Sequence, residues 1–272
     1  MAAIDDMQLE TIALEQPEPG VVVATLNRPE RMNSMTFQMF DDLAALPRML
    51  RDEHEVRAVI LTGAGDRAFC AGFDLAEVGR ITEFGIREFL KFQELATGAL
   101  AGIRALPQPV IAAVNGAAAG GGMSLALAAD IRLASPAARF NAAFVKIGLS
   151  VGELGTSWQL TRLVGSGRAA EIAYTGRFVD AEEAARIGLV NRVVPAESLL
   201  GEALALAGRI AANSPGGVRL SKRALQANQD ITSYAAALEL ENRGQALLTR
   251  GADMPEALAA FKERREPQFT GR

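Results

Sequence analysis

The sequence predicts an α/β core followed by a smaller, purely helical C-terminal part. Short apolar, β-branched runs alternate with helical stretches up to residue 198, and from Leu199 the pattern is helical almost to the end. The chain is also long enough, at 272 residues with 49% hydrophobic and 22% charged, to bury a sizeable core. The expected division is 1–198 for the core and 199–272 for the helical part.

Val21–Leu26 is β-branched and apolar and reads as a strand, broken by Asn27-Arg28-Pro29. Residues 37–51 have helical spacing, with Phe40, Leu43, Leu46 and Leu50 on one stripe. Residues 56–62 form a second strand ending at Gly63; 63–72 are a loop, and a helical stretch starts at Phe73. A long helix over 83–106 is stopped by Pro107 and Pro109. Residues 109–114 are a buried strand, Gly116 gives a turn, and Gly120-Gly121-Gly122 opens a small-residue helix over 123–129. A strand follows over 130–134, with Asp130 as its start or turn partner, and 140–144 is a candidate for another. Residues 160–174 are helical. Asp180-Ala-Glu-Glu183 reads as a capping box for a helix to Ile187, which Gly188 ends before a strand over 189–194. Beyond Leu199 the helical pattern breaks at 213–217, and Asp253-Met-Pro255 starts the last helix.

The stretch 115–130 carries the chemistry. A strand that stops, glycines and a helix start together place N–H groups against a ligand. The first turn of a helix has unpaired N–H donors and a partial positive charge, and glycine lets a ligand atom come close to them. Such a place holds a phosphate, a carboxylate or a developing oxyanion. The spacing in 116–122 is not that of a dinucleotide fingerprint, and Met123-Ser124 after Gly122 is not the end of a phosphate loop. An oxyanion site remains. Ala71-Gly72 sits in the earlier strand–loop–helix unit as the triple glycine sits in this one.

Composition excludes other classes. The net charge is −4 with Lys and Arg scattered, so no basic patch argues for nucleic acid. The single cysteine, Cys70, excludes an internal disulfide framework and fits a reducing cytoplasm. The single histidine, His54, lies in a charged run and argues against a His-ligated metal or a catalytic His. The N-terminus, with Asp5, Asp6 and Glu10, is too acidic for a transit peptide and has no signal-peptide core. No apolar run is long enough to span a membrane.

The two glycine loops and their surroundings resemble the crotonase superfamily, the enoyl-CoA hydratase/isomerase family. The matching pieces are Asn27-Arg-Pro-Glu-Arg-Met-Asn33, Ala68-Phe-Cys-Ala-Gly-Phe-Asp74, Pro109-Val-Ile-Ala-Ala-Val-Asn-Gly116 with Gly120-Gly-Gly122, and Ala129-Asp-Ile-Arg132. Further on come Thr175-Gly-Arg-Phe-Val-Asp-Ala-Glu-Glu-Ala184, Gly188-Leu-Val-Asn-Arg192, Ser221-Lys-Arg-Ala224, Ala260-Phe-Lys-Glu-Arg-Arg265 and Pro267-Gln-Phe-Thr-Gly-Arg272. The resemblance covers nearly the whole chain. It implies an α/β fold, a ClpP-like spiral of ββα units with a C-terminal helical trimerisation domain, assembled as a homotrimer or a dimer of trimers. It implies an acyl-CoA thioester substrate and no cofactor, coenzyme A being part of the substrate. The implied oxyanion hole is the N–H pair of Ala71 and Gly121. The implied substrate-binding residues are Arg31, Met32, Cys70, Gly72, Phe73, Asp74, Leu75, Ser124 and Phe144. Phe261 and Lys262 would complete a neighbouring subunit's CoA site.

The sequence departs from the family's hydratases at two positions. Their two glutamates are replaced by Ser124 and Phe144. A serine positions a water but is no general base near neutral pH without a partner. The segment 147–157 resembles the loop that carries an acid in the dienoyl-CoA isomerase subgroup, and that acid corresponds to Glu153, the catalytic candidate. Burial there would raise its pKa toward the working pH. Gly148-Leu-Ser-Val-Gly152 matches a nucleophile elbow, but that reading needs a histidine after the serine, and His54 precedes it. Asp74 is also expected to cap or brace the helix after its loop, and Phe144 and Trp158 to be core or pocket wall.

Three functions compete. One is an enoyl-CoA hydratase or double-bond isomerase with Glu153 as its lone acid/base; the chemistry favours isomerase, and the naming of such sequences favours hydratase. The second is other crotonase chemistry, such as thioester hydrolysis, decarboxylation or C–C cleavage; the dehalogenase branch is discounted for want of a histidine. The third is a non-catalytic acyl-CoA-binding protein, supported by the loss of both usual acids.

Overall fold

The computed structural model describes residues 8–272; Asp5 and Asp6 lie outside them. Two sheets organise the core. The larger has the order β1 (Ile12–Glu18), β2 (Val21–Leu26), β3 (Ala58–Gly63), β5 (Val110–Val114), β7 (Ile131–Ala134), β10 (Arg192–Val193). All its pairings are parallel except β1 with β2. The smaller has the order β4 (Ala68–Cys70), β6 (Ala117–Ala119), β8 (Arg139–Asn141), β9 (Phe178–Asp180). Each of β3, β5 and β7 passes by a short turn into a strand of the second sheet, β4, β6 and β8, before the chain turns helical. This repeated step is the spiral of ββα units.

Parallel strands covered on both faces read as continuous apolar runs, which is why β2, β3 and β5 were legible. Val22, Ala24, Leu26, Val59, Leu61, Val110, Ala112 and Val114 face one core with α1 (Phe37–Leu50), α3 (Ile86–Arg104) and α4 (Gly121–Ala128). The alternate residues Val21, Val23, Ala58, Ile60, Ile111 and Ala113 face a second core closed by Leu199, Ala203 and Ala207 of α8 (Leu199–Ala211). The expected boundary after 198 is therefore no seam, because α8 covers the sheet. The helices that leave it are α9 (Pro215–Ala227), α10 (Tyr234–Leu248) and α11 (Asp253–Glu263). Lys222 ties α9 back: its Nζ lies 2.7 Å from Asp130 Oδ2 and donates to Gln108 O at 3.0 Å. Asp130 also accepts the Val110 N–H at 2.8 Å, so it braces the start of β5 as well as its own strand.

Several elements differ from expectation. The 63–72 loop contains β4, and the turn after Gly116 contains β6. The 140–144 candidate is β8 only to Asn141, followed by a 3-10 turn, Ala143–Ile147. The 160–174 helix is two, α5 (Thr156–Val164) and α6 (Ser166–Thr175), divided at Gly165, whose φ of +81° no helix accommodates. The 189–194 strand shrinks to two residues. Strands of three residues are too short for a period-two pattern to emerge. The remaining helices are α2 (Leu75–Ile81) and α7 (Ala181–Arg186), the latter capped by Asp180 Oδ1 on the Glu183 N–H at 2.8 Å.

Candidate active site

The site grows from the two strand-to-helix loops. In the first, the chain after β4 is strapped to the segment 32–35. The Ala71 N–H donates to Met32 O at 3.0 Å, Met35 N–H to Gly72 O at 2.8 Å, and Asp74 N–H to Met35 O at 2.8 Å. This corrects the Ala71 expectation, because that N–H already has an acceptor. Among the described residues the Phe73 N–H has no hydrogen-bond acceptor, because its bridge to Met35 uses the flanking Gly72 carbonyl and Asp74 N–H instead. In the second loop, Gly120 N–H is held by Asn141 O at 2.8 Å, and Gly121 begins α4, where a first-turn N–H has no intrahelical acceptor.

The loops lie in direct contact. A Cβ on Gly122 would overlap the Cys70 carbonyl, so only glycine lets α4 start against the end of β4. Gly72 has φ +95°, and a Cβ there would lie 2.7 Å from Ala119 O and 3.7 Å from the Gly121 nitrogen. The Phe73 and Gly121 N–H groups thus arise from adjoining backbone.

Glu153 lies in the loop before α5. Its Leu154 neighbour is left-handed (φ +48°) and reaches to 3.3 Å from where a Gly121 Cβ would stand, so the loop packs onto the glycine helix start. Glu153 is half-buried, and its Oε2 accepts from Gln93 Nε2 of α3 at 3.2 Å. Burial pushes its carboxyl above the ordinary range, and the hydrogen bonds from Gln93 and the Leu154 N–H only partly offset this. Gln93 was not anticipated; a glutamine on a helix stripe carries no local signal of a partner 60 positions away.

The other residues divide by exposure. Ser124 is buried, its Oγ hydrogen-bonded to Thr156 Oγ1 and 3.2 Å from Gly120 O. Phe144 is buried, its ring edge 3.9 Å from a Cβ placed on Gly120. The Phe73 ring packs among Phe37, Phe40 and Phe92, at centroid distances of 5.5, 5.6 and 5.6 Å. The Cys70 and Asp74 side chains both point into protein, so only their backbone is available to line a substrate. Burial pushes the Cys70 thiol up to about 12, which excludes a thiolate near neutral pH. Asp74 caps α2 through the Ala76 N–H (3.0 Å) and binds Ser34 (2.9 Å), Arg28 and Arg31 (both 3.2 Å). Burial alone would raise its carboxyl, but these partners outweigh it and bring it down to about 2. Arg31, Met32 and Leu75 are exposed at the rim. Phe261 and Lys262 are exposed on α11, Phe261 at 85%. Ser150 of the apparent elbow accepts the Gly152 N–H at 3.0 Å within its own exposed loop. Among the described residues, no group of three or more His, Cys, Asp and Glu is placed to hold a metal ion.

A two-sheet ββα spiral, with free N–H groups where two of its units turn helical, defines an enzyme of the crotonase fold. Solved structures agree. An enoyl-CoA hydratase from Bacillus anthracis superposes with a TM-score of 0.91 at 36% identity, over 97% of this chain and 100% of that one. A putative enoyl-CoA hydratase from Streptomyces coelicolor superposes at 0.93 with 38% identity, over 100% of this chain and 98% of that one. The chain belongs to the enoyl-CoA hydratase/isomerase family, whose model matches residues 16–272. A probable enoyl-CoA hydratase of Mycobacterium bovis is 47% identical over 266 residues, 95% of this chain and 92% of the relative. The 1,2-epoxyphenylacetyl-CoA isomerase of Escherichia coli is 38% identical over 95% of this chain and 98% of its own length.

Proposed function

We propose that this enzyme processes acyl-CoA thioesters in fatty-acid metabolism, moving a proton between Cγ and Cα of an enoyl-CoA with Glu153 as the acid/base. The observation that carries this reading is the pair of free N–H groups, Phe73 and Gly121, on whose helix start the Glu153 loop is packed. The thioester oxygen would accept from both. As the Glu153 carboxylate takes the Cγ proton, the C–H electrons move through the double bond to that oxygen, and the resulting dienolate is held by the two donors. The Glu153 carboxylic acid then returns the proton to Cα. Each such donor contributes about 2.7–4 kcal/mol to similar steps. A carboxyl whose pKa burial has raised is suited to both taking and giving a proton.

Isomerisation needs one carboxyl, whereas addition of water ordinarily uses two groups. The positions of the family's two glutamates hold a buried serine tied to Thr156 and a buried phenylalanine. Glu153 is the acid left in the loop region, so isomerase chemistry is favoured over hydration. The reading includes no cofactor beyond the coenzyme A of the substrate, and no nucleic-acid partner. It also includes a cytoplasmic setting, consistent with the single buried thiol; among the described residues no helix is long and apolar enough to cross a membrane. Exposed Met254, Leu258 and Phe261 on α11 support assembly as a homotrimer or dimer of trimers, with Phe261 and Lys262 reaching a neighbour's CoA site.

Product analysis with 2-enoyl- and 3-enoyl-CoA tests the reaction. Interconversion of the double-bond isomers is expected. Thioester hydrolysis, or binding without any turnover, would overturn it in favour of other crotonase chemistry or a binding protein. Sedimentation at micromolar concentration tests the assembly, and a stable monomer would contradict it.

A further inference from the structure

One face of α3 runs from the candidate site to a cation. Gln93, which holds Glu153, is followed at helical spacing by Thr97, Leu100, Ala101 and Arg104. The last four line a cavity of about 470 Å³ together with Ser124, Leu154, Trp158, Gln159 and, at the Arg104 end, Asp230, whose carboxylate is taken up by Arg162. Its near end is therefore the Ser124–Leu154 wall beside Gly121, and its far end is Arg104. At about 1.5 Å per residue, Arg104 stands roughly 16 Å along α3 from Gln93.

The Arg104 guanidinium is unusual for a half-buried cation. Its NH1 donates to Gln159 Oε1 at 3.4 Å and its NH2 to Gln229 Oε1 at 2.8 Å, both neutral acceptors. It lies 4.8 Å from the Trp158 ring, which Arg162 also approaches at 3.8 Å. No carboxylate among the described residues is within ion-pair distance of it; the nearby Asp230 is paired with Arg162 at 3.4 Å and Asp130 with Lys222 at 2.7 Å. A guanidinium has five N–H donors in a planar fork, and here most have no acceptor. Burial lowers its pKa, against the more distant pull of Asp130 and Asp230. A further anion, in direct contact with the guanidinium, would offset that desolvation.

We propose that the substrate's acyl chain ends in a carboxylate, which Arg104 binds at the far end of this cavity. The substrate class is then an ω-carboxyacyl thioester whose chain spans the distance from the Glu153 loop to Arg104, roughly 16 Å along α3. This rests on the acyl-CoA reading above. The reacting carbons sit near Glu153, the chain passes Leu100 and Leu154, and the terminal carboxylate meets the free N–H groups of Arg104, whose guanidinium lies over Trp158.

Calorimetry with saturated, unreactive thioesters separates this proposal from the reading beneath it. The probes are a methyl-ended acyl-CoA and its ω-carboxy counterpart of equal length. Wild type is expected to bind the carboxy form about tenfold tighter, the gain of one charge-assisted hydrogen-bonded pair. In Arg104→Met the ratio of the two dissociation constants should fall to about one, and in Arg104→Lys it should lie between, since lysine keeps the charge but loses the fork. The ratio is insensitive to any general loosening of the variant. Equal binding of both probes by wild type, or a preference that survives in Arg104→Met, overturns this proposal alone. Binding of neither probe overturns the acyl-CoA reading and this one with it.

Discussion

Gln93 Nε2 stands 3.2 Å from Glu153 Oε2, a hydrogen bond that holds a half-buried carboxyl in place from the neighbouring helix. It restrains the proposed acid/base while leaving the other oxygen free of side-chain partners among the described residues.

Replacing Glu153 by Gln keeps the shape and removes the proton carrier. A positioned acid/base contributes roughly 10²- to 10⁴-fold. Glu153→Gln should therefore lower kcat at least about a hundredfold with little change in acyl-CoA affinity, whereas Ser124→Ala should cost about tenfold or less. Steady-state kinetics with 2- and 3-enoyl-CoA checks both. If Ser124→Ala proves the inactive variant, the assignment is wrong.

The same carboxyl makes stability depend on pH. Its folded pKa is raised, chiefly by burial, so the folded state binds the proton more tightly than the unfolded chain. That contribution is complete below the ordinary carboxylate value and is lost as pH rises through the elevated one. Glu153→Gln should gain in Tm relative to wild type as pH rises from 4 toward 8. Parallel melting curves with a constant difference would refute the shift.

Gly122→Ala tests the contact that brings the donor loops together. The added methyl would overlap the Cys70 carbonyl and stand 2.8 Å from the Cys70 Cβ. Overpacking of this kind costs about 1–3 kcal/mol, and moving one donor by about 1 Å can cost a hundredfold in rate. Urea unfolding should show the loss of stability, and the folded variant should turn over far more slowly. Wild-type kinetics in a folded Gly122→Ala would mean that the spacing of Phe73 and Gly121 is unimportant.

Asp74 gives acid sensitivity of opposite sign. Burial raises its carboxyl, but the Ala76 N–H, Ser34, Arg31 and Arg28 bring it below its ordinary 3.8 to about 2. The folded pKa is depressed, so its contribution is present above the unfolded value and is lost as pH falls from about 4 to about 2. It is worth about 2 kcal/mol. Asp74→Asn should lose about that much at pH 7 and unfold with less pH dependence below pH 4. Identical acid-unfolding curves for variant and wild type would contradict this.

The local chemistry of the chain determined a great deal. The continuous apolar runs of β2, β3 and β5 are what a parallel sheet covered on both faces requires, and they were readable without a structure. So were the Asp180 cap, the helix start at the triple glycine and the family resemblance that its flanking motifs carry. Each is a property of residues a few positions apart. The strand β1 was not readable, because Ile12–Glu18 is an edge strand with polar residues at most of its outer positions. Nor were β4, β6, β8 and β9, each only three residues long.

Tertiary structure alone decided which donor is free. Ala71 and Phe73 are equivalent on paper, since every backbone N–H has the same chemistry. The Ala71 N–H is taken because Met32, far back in the chain, brings its carbonyl to 3.0 Å, while Phe73 is passed over by the same strap. The Gln93–Glu153 hydrogen bond and the Arg104 guanidinium, which has no carboxylate partner among the described residues, are of the same kind. Hydrogen-bond availability is a balance over all neighbours in space, and a sequence records neighbours only along the chain.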